Sequence, residues 1–153
     1  MTNIFNKICK KCSEKGETCC NFKLFLIKDE IKNLKKYKPD LKYLKTKSGF
    51  SLIRDKKNSQ FRCQFLTDKG CSLSEELKPL DCVLFPMVII HKNSEIIFYI
   101  NKDCPYAKSI PKEWIEKTKR YALEKFKTWS EEEKIGCSKV AESIQENNLI
   151  KVF

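Results

Sequence analysis

The chain has 153 residues, 41% hydrophobic and 33% charged, with a formal net charge of +11. That length suits one domain burying roughly 70% of its unfolded surface, and the composition excludes a disordered chain. The longest apolar run, Val83 to Ile90, is under half of the ~20 residues that cross a bilayer.

In chain order, residues 9–20 read as a knuckle-like loop relaxed at Gly16, and Phe22 to Ile27 as a short strand. Asp29 is placed to cap a helix over Glu30 to Tyr37, with Ile31 and Leu34 inward and Pro39 as its stop. Residues 48–54 alternate as a strand, and 55–59 read as a turn. Phe61 to Leu73 reads as a hairpin turning at Asp68-Lys69-Gly70, with Cys63 and Cys71 on its two sides. Ser74 heads a short helix whose first turn holds Glu75 and Glu76. Phe85–His91 and Glu95–Ile100 read as a second hairpin around Lys92-Asn93-Ser94. Pro111 opens a helix whose stripe runs through Trp114, Thr118, Tyr121, Ala122, Lys125, Phe126 and Trp129. That stripe reads as core rather than as a stacking surface for bases. Ser130 and Glu133 form a capping-box signature for a last helix, with Ile135, Val140 and Ile144 as its packing residues.

The chemistry lies in the nine cysteines. Cys9, Cys12, Cys19 and Cys20 form one group, and Cys63, Cys71, Cys82 and Cys104 another. Met1 to Lys11 carries lysines and asparagines where a secretory signal carries an apolar stretch, so a cytoplasmic protein with reduced thiols is expected. There, clustered cysteines point to metal, with a disulfide framework as the rival reading. Four thiolates suit zinc and suit a [4Fe–4S] cluster, and the spacing does not separate the two. Eight thiolates allow two zinc ions, one cluster with one zinc, or one cluster with unused thiols. Cys137 stands apart in the last helix and reads as a packed thiol. His91, the single histidine, reads as a surface or packed residue. Asp81 and Asp103 each precede a cysteine, where they could support a site from behind, but read as ordinary loop aspartates.

Bound metal would lower the charge; two divalent ions on eight thiolates leave about +7. The basic residues are 28 lysines spread along the chain and three arginines, Arg54, Arg62 and Arg120. This reads as a solvated lysine coat before it reads as a nucleic-acid surface, because arginine is the better reader of phosphates and base edges. No Gly-rich phosphate loop or dinucleotide fingerprint is present, so the reading leans away from an enzyme.

The cysteine segments resemble the YkgJ-like cysteine-cluster family, the CxxCxxCC zinc- or iron-chelating domain. The matching residues are Cys9-Lys-Lys-Cys12, Gly16, Cys19-Cys20, Cys63-Gln-Phe-Leu, Gly70-Cys71-Ser-Leu, Lys78-Pro79-Leu-Asp-Cys82-Val-Leu-Phe85-Pro86 and Cys104-Pro105. Lys78 and Val83 stand where the family carries arginines, and the Cys12–Cys19 gap is longer than the family's motif. The match covers about residues 9–105. The resemblance implies an iron–sulfur or zinc protein and favours [4Fe–4S] over zinc. Through related flagellin lysine-N-methylases it suggests a link to protein methylation.

The expectation is a small single-domain α+β protein, with two β-hairpins and Cys-rich loops packed against C-terminal helices. Residues 1–110 form its cysteine-cluster metal-binding region, and 111–153 a helical extension of the same domain. Its partner is the metal ion or cluster, its role structural or redox. A protein partner comes second, nucleic acid ranks low and a membrane is excluded. The alternatives are a zinc-dependent module binding nucleic acid or protein, and a component of protein lysine N-methylation.

Overall fold

In the computed structural model, residues 24–57, 60–144 and 146–152 are described. The chain enters as an extended stretch over residues 24–27. Successive side chains of an extended backbone point to opposite sides. Phe25 and Leu26 accordingly enter two different cores. Phe25 joins Leu80, Leu84, Met87, Ile89, Phe98, Ile100, Trp114, Ala122, Phe126, Trp129 and Cys137. Leu26 joins Ile31, Leu34, Leu41, Phe65 and Leu73. The stretch is not the expected strand: Leu26 makes a single antiparallel bridge to Phe50, with both N–H···O bonds at 2.8–2.9 Å.

Helix α1 (Lys28–Tyr37) buries Ile31 and Leu34, as its spacing predicts, and ends before Pro39. It starts two residues earlier than expected, and the cap is not Asp29. Glu30 reaches back instead, its Oε2 accepting Ile27 N–H at 3.0 Å. Strands β1 (Tyr43–Lys45) and β2 (Phe50–Leu52) form an antiparallel pair. A second pair joins β3 (Asp55–Lys57) to β4 (Gln60–Arg62), where the sequence reading placed a turn. The hairpin of β5 (Leu66–Thr67) and β6 (Gly70–Cys71) is only two residues deep. Gly70 takes φ +104°, open to glycine without a Cβ penalty. A 3₁₀ turn (Glu75–Leu77) leads to the one-turn helix α2 (Leu80–Leu84).

The main sheet is antiparallel. Its central strand is β8 (Glu95–Asn101), flanked by β7 (Met87–Lys92) and β9 (Leu149–Val152). The β7–β8 loop is Asn93-Ser94, both at positive φ (52° and 63°), the two-residue geometry that matches strand twist. The last strand, β9, was not expected from sequence. Helix α3 (Lys112–Phe126) and helix α4 (Glu131–Glu142) follow a 3₁₀ turn at Ala107–Ser109. On α3, Trp114, Thr118, Ala122 and Phe126 are buried, so the aromatic stripe is core. The capping box of α4 forms as predicted: Ser130 Oγ accepts Glu133 N–H (3.2 Å) and Glu133 Oε2 accepts Ser130 N–H (2.8 Å). Its buried face, however, is Gly136, Cys137, Ser138 and Ala141, and Ile135 is 44% exposed.

The architecture is thus a small α+β fold with short antiparallel sheets. No helix among the described residues is long and apolar enough to cross a membrane.

The Phe25 ring fixes how closely α4 and the β1–β2 turn approach. A Cβ at Gly136 would fall 2.5 Å from Phe25 Cε2 and 2.5 Å from Ser48 Cβ. In an exposed helix interior, Gly→Ala gains about 1 kcal/mol of helix propensity. Here overpacking against a buried ring opposes that gain with about 1–3 kcal/mol or more. Gly136→Ala is therefore expected to lower stability by about 1–2 kcal/mol, read from the urea midpoint at unchanged m-value.

Candidate metal centre

The cysteine with the most developed surroundings is Cys63, half-buried just after β4. The Cys63-Gln64-Phe65-Leu66 segment turns back on itself, with Leu66 N–H donating to Cys63 C=O at 3.1 Å. The turn brings the Phe65 and Leu66 N–H groups to the Cys63 sulfur. Burial is the largest influence on the thiol and raises its pKa. The Phe65 N–H pulls it back down, the neighbouring charges of Cys71 and Asp55 raise it, and the Leu66 N–H lowers it. The net result is a thiol above its ordinary value, with backbone donors already facing the sulfur. Gln64 holds the turn from outside, its Nε2 donating to Lys42 C=O and Ile53 C=O, both at 2.6 Å.

Cys71 is exposed on β6, where it pairs with Leu66 rather than with Cys63. Cys63 therefore lies just before the two-residue ladder rather than on the strand opposite Cys71. They remain neighbours close enough for the charge of one to raise the pKa of the other. Cys82 lies within α2, half-buried, its N–H donating to Pro79 C=O at 3.0 Å. The sequence reading had placed it after a helix. Cys104 is buried in the turn after β8, its N–H bonded to Asn101 C=O at 3.3 Å and its C=O to Ala107 N–H at 3.0 Å. Cys9, Cys12, Cys19 and Cys20 lie outside the described residues. Among the described residues, no three His, Cys, Asp or Glu side chains gather in a group able to hold a metal ion.

Behind Cys82 lies a buried carboxylate pair. Asp81 sits on α2 rather than in a loop. Its Oδ2 accepts Phe25 N–H at 2.9 Å, and the Cys137 thiol lies 3.7 Å from Oδ1. Glu30 completes the arrangement, its Oε1 accepting Leu80 N–H at 2.7 Å. Burial lifts the Glu30 pKa to about 7, against the lowering pull of the Leu80 and Ile27 N–H groups. Burial lifts Asp81 to about 6, against Phe25 N–H and the Cys137 thiol. Cys137 is packed in the main core, as expected, and burial together with Asp81 raises its pKa well above the ordinary thiol value. Such a thiol stays protonated at neutral pH and is a poor ligand or nucleophile.

His91 lies on β7, its N–H donating to Ser138 Oγ at 2.6 Å and its Nε2 3.8 Å from Glu131. On the helices, lysines pair with glutamates one turn away: Lys117 with Glu113, Lys127 with Glu124, Lys134 with Glu131. These are features of a solvated face.

Sequence reasoning missed the two-amide cup at Cys63 and the Glu30–Asp81 pair. The first had a signal, a Cys-x-Phe-Leu turn before a strand. The second had none, because Glu30 and Asp81 meet only in the folded chain. Scans against family models, curated proteins and solved structures return no match for this chain.

The carboxylates make a pH prediction. Both have folded-state pKa values above their ordinary, unfolded ones. The folded state therefore holds more protons than the unfolded state between about pH 4 and 7, and stability falls as pH rises across that window. Urea unfolding of chelator-treated, reduced protein is expected to lose on the order of 3 kcal/mol from pH 4.5 to pH 7.5. Glu30→Gln should flatten that slope, and an unchanged slope would remove Glu30 from the account.

Proposed function

We propose that the chain is a metal-binding protein holding a Cys-ligated centre, with ligands drawn from Cys9, Cys12, Cys19, Cys20, Cys63, Cys71, Cys82 and Cys104. The observation that carries the reading is the Cys63 turn. Two backbone N–H groups directed at one half-buried sulfur stabilise a thiolate, the form that binds metal. Burial and the Cys71 charge oppose that form in the metal-free chain, and a cation between the sulfurs would offset both. The donor chemistry suits a [4Fe–4S] cluster or zinc, the cluster being preferred on the motif-level resemblance to YkgJ-like proteins.

Chain connectivity supports participation of both cysteine groups. Phe25 is hydrogen-bonded to Asp81, the residue before Cys82. Phe25 lies five positions after Cys20, a reach of at most about 18 Å. Among the described residues no three ligand side chains gather, so the reading draws on both groups. When bound, the metal would crosslink these loops. A structural role follows directly, and a redox role follows if the metal is a cluster. A cytoplasmic setting, which keeps thiols reduced, belongs to the same reading.

Cysteine substitution tests it. Cys63→Ser and Cys82→Ser are expected to lower metal per chain by native mass spectrometry. They should also depress the thermal midpoint of the metal-loaded protein by roughly 5–10 °C. Cys137→Ser should leave metal content unchanged. Equal metal content in all three variants would contradict the assignment.

A further inference from the structure

Charge is unevenly distributed over the fold. Residues 28–47 carry eight lysines against three acidic residues, whereas residues 112–142, which hold α3 and α4, carry eight basic against seven acidic. On α3 and α4 lysines meet glutamates one turn away, as at Lys117–Glu113, Lys127–Glu124 and Lys134–Glu131. On α1, Lys28, Lys32, Lys35 and Lys36 are exposed. None of the four lies within ion-pair distance of a carboxylate among the described residues. Two nearby carboxylates are engaged elsewhere. Glu30 turns inward to accept Ile27 N–H and Leu80 N–H, and Asp40 is held by Lys38 at 3.2 Å.

Helical spacing puts the four lysines on one face, in a stripe about 12 Å long. Lys35 leans toward β1, its Nζ 5.6 Å from the centroid of the Tyr43 ring. Lys45 stands two residues beyond Tyr43, on the same side of that strand, and is exposed. The stripe thus continues from the helix onto the hairpin. Lys35 and Lys36, in the last turn, suit the helix dipole, but Lys28 in the first turn opposes it. Lys28, Lys32 and Lys36 also follow one another at i,i+4, where like charges repel and weaken a helix. An arrangement unfavourable to the isolated chain becomes favourable beneath a polyanion.

The surroundings select the kind of polyanion. The apolar side chains of α1, Ile31 and Leu34, are buried in the smaller core, so the helix has no apolar face for a lipid interface. Protein interfaces favour aromatic and arginine anchors and are depleted of lysine. The Tyr43 ring is covered by Lys35 and meets Phe50 edge-on at 5.7 Å, which leaves it poorly placed to stack an unpaired base. Tyr37 projects from the far side of α1, its hydroxyl donating to Ser72 C=O at 3.3 Å. What remains is a row of point charges. Lysine meets phosphate in that way without reading bases, and a duplex offers one phosphate per about 1.7 Å of its axis.

We propose that the lysine face formed by α1 and β1 binds the phosphate backbone of double-stranded nucleic acid without sequence preference. Lys28, Lys32, Lys35, Lys36 and Lys45 supply the contacts. The inference stands apart from the metal reading and uses none of its residues.

The test is fluorescence anisotropy of the full chain with a labelled DNA duplex of about 20 base pairs, from about 50 to about 200 mM salt. The unsubstituted chain is expected to bind with a log–log salt slope of about −4. The combined variant Lys28→Gln, Lys32→Gln, Lys36→Gln should flatten that slope by about 3 and weaken binding at least ~10-fold at the lowest salt. Lys35→Gln with Lys45→Gln serves if the triple variant loses its circular dichroism spectrum, and should flatten the slope by about 2. The control Lys117→Gln, Lys127→Gln, Lys134→Gln removes the same charge from α3 and α4 and should bind within about threefold of the unsubstituted chain. Equal losses in the α1 variant and the control would make the attraction a property of net charge and overturn the inference. So would absence of duplex binding at the lowest salt. Tighter binding to a single strand of the same length, to an acidic peptide or to phosphatidylserine vesicles would also overturn it.

Discussion

The fold depends on how residues 24–27 are held. Phe25 N–H is fixed to Asp81, Leu26 is bridged to Phe50, and Ile27 N–H is fixed to Glu30, which also holds Leu80 N–H. Four extended residues thereby meet α1, α2 and β2. Because their side chains alternate, the stretch inserts Phe25 into one core and Leu26 into the other. Displacing it would open both cores, strip Asp81 of its Phe25 N–H donor and leave Glu30 with only the Leu80 N–H, a costly loss for buried carboxylates.

The same stretch bears on the candidate ligands. The anchored stretch follows Cys19-Cys20 in the chain, and its anchor Asp81 precedes Cys82. Leu26 and Phe65 share the smaller core, so the turn that cups the Cys63 sulfur packs on the side of the stretch opposite Phe25. Cys82 and Cys104 are linked through Pro86 and Asn101. Burial acts alike on the thiols at Cys63 and Cys137, raising both. Their partners differ: amide donors face Cys63, while a carboxylate faces Cys137. The amide donors favour the thiolate at Cys63, and the carboxylate disfavours it at Cys137.

Periodicity made the helical half legible. The α3 stripe, the Ser130–Glu133 box and the Asn93-Ser94 hairpin all follow from local pattern, and local interactions determine them. The short strands were less legible. Residues 55–57 carry turn-like charge, yet pair with 60–62, because pairing rather than propensity decides strands of three residues. β9 has only four residues and forms against β8 from far along the chain. On α4, Ile135 was expected inside, but the close approach of Phe25 admits Gly136 there instead. The candidate ligands were legible as residue types. The contacts of Glu30 and Asp81 were not, since they form only on folding.

The central claim is that these thiolates hold metal, and the most direct measurement is elemental. Protein purified without oxygen would be assayed for iron, zinc and acid-labile sulfide per chain, with its visible spectrum recorded near 400 nm. The account predicts either brown protein with about four irons and four sulfides, or colourless protein with one or two tightly held zinc ions. Metal-free protein whose cysteines are found in disulfides would contradict it.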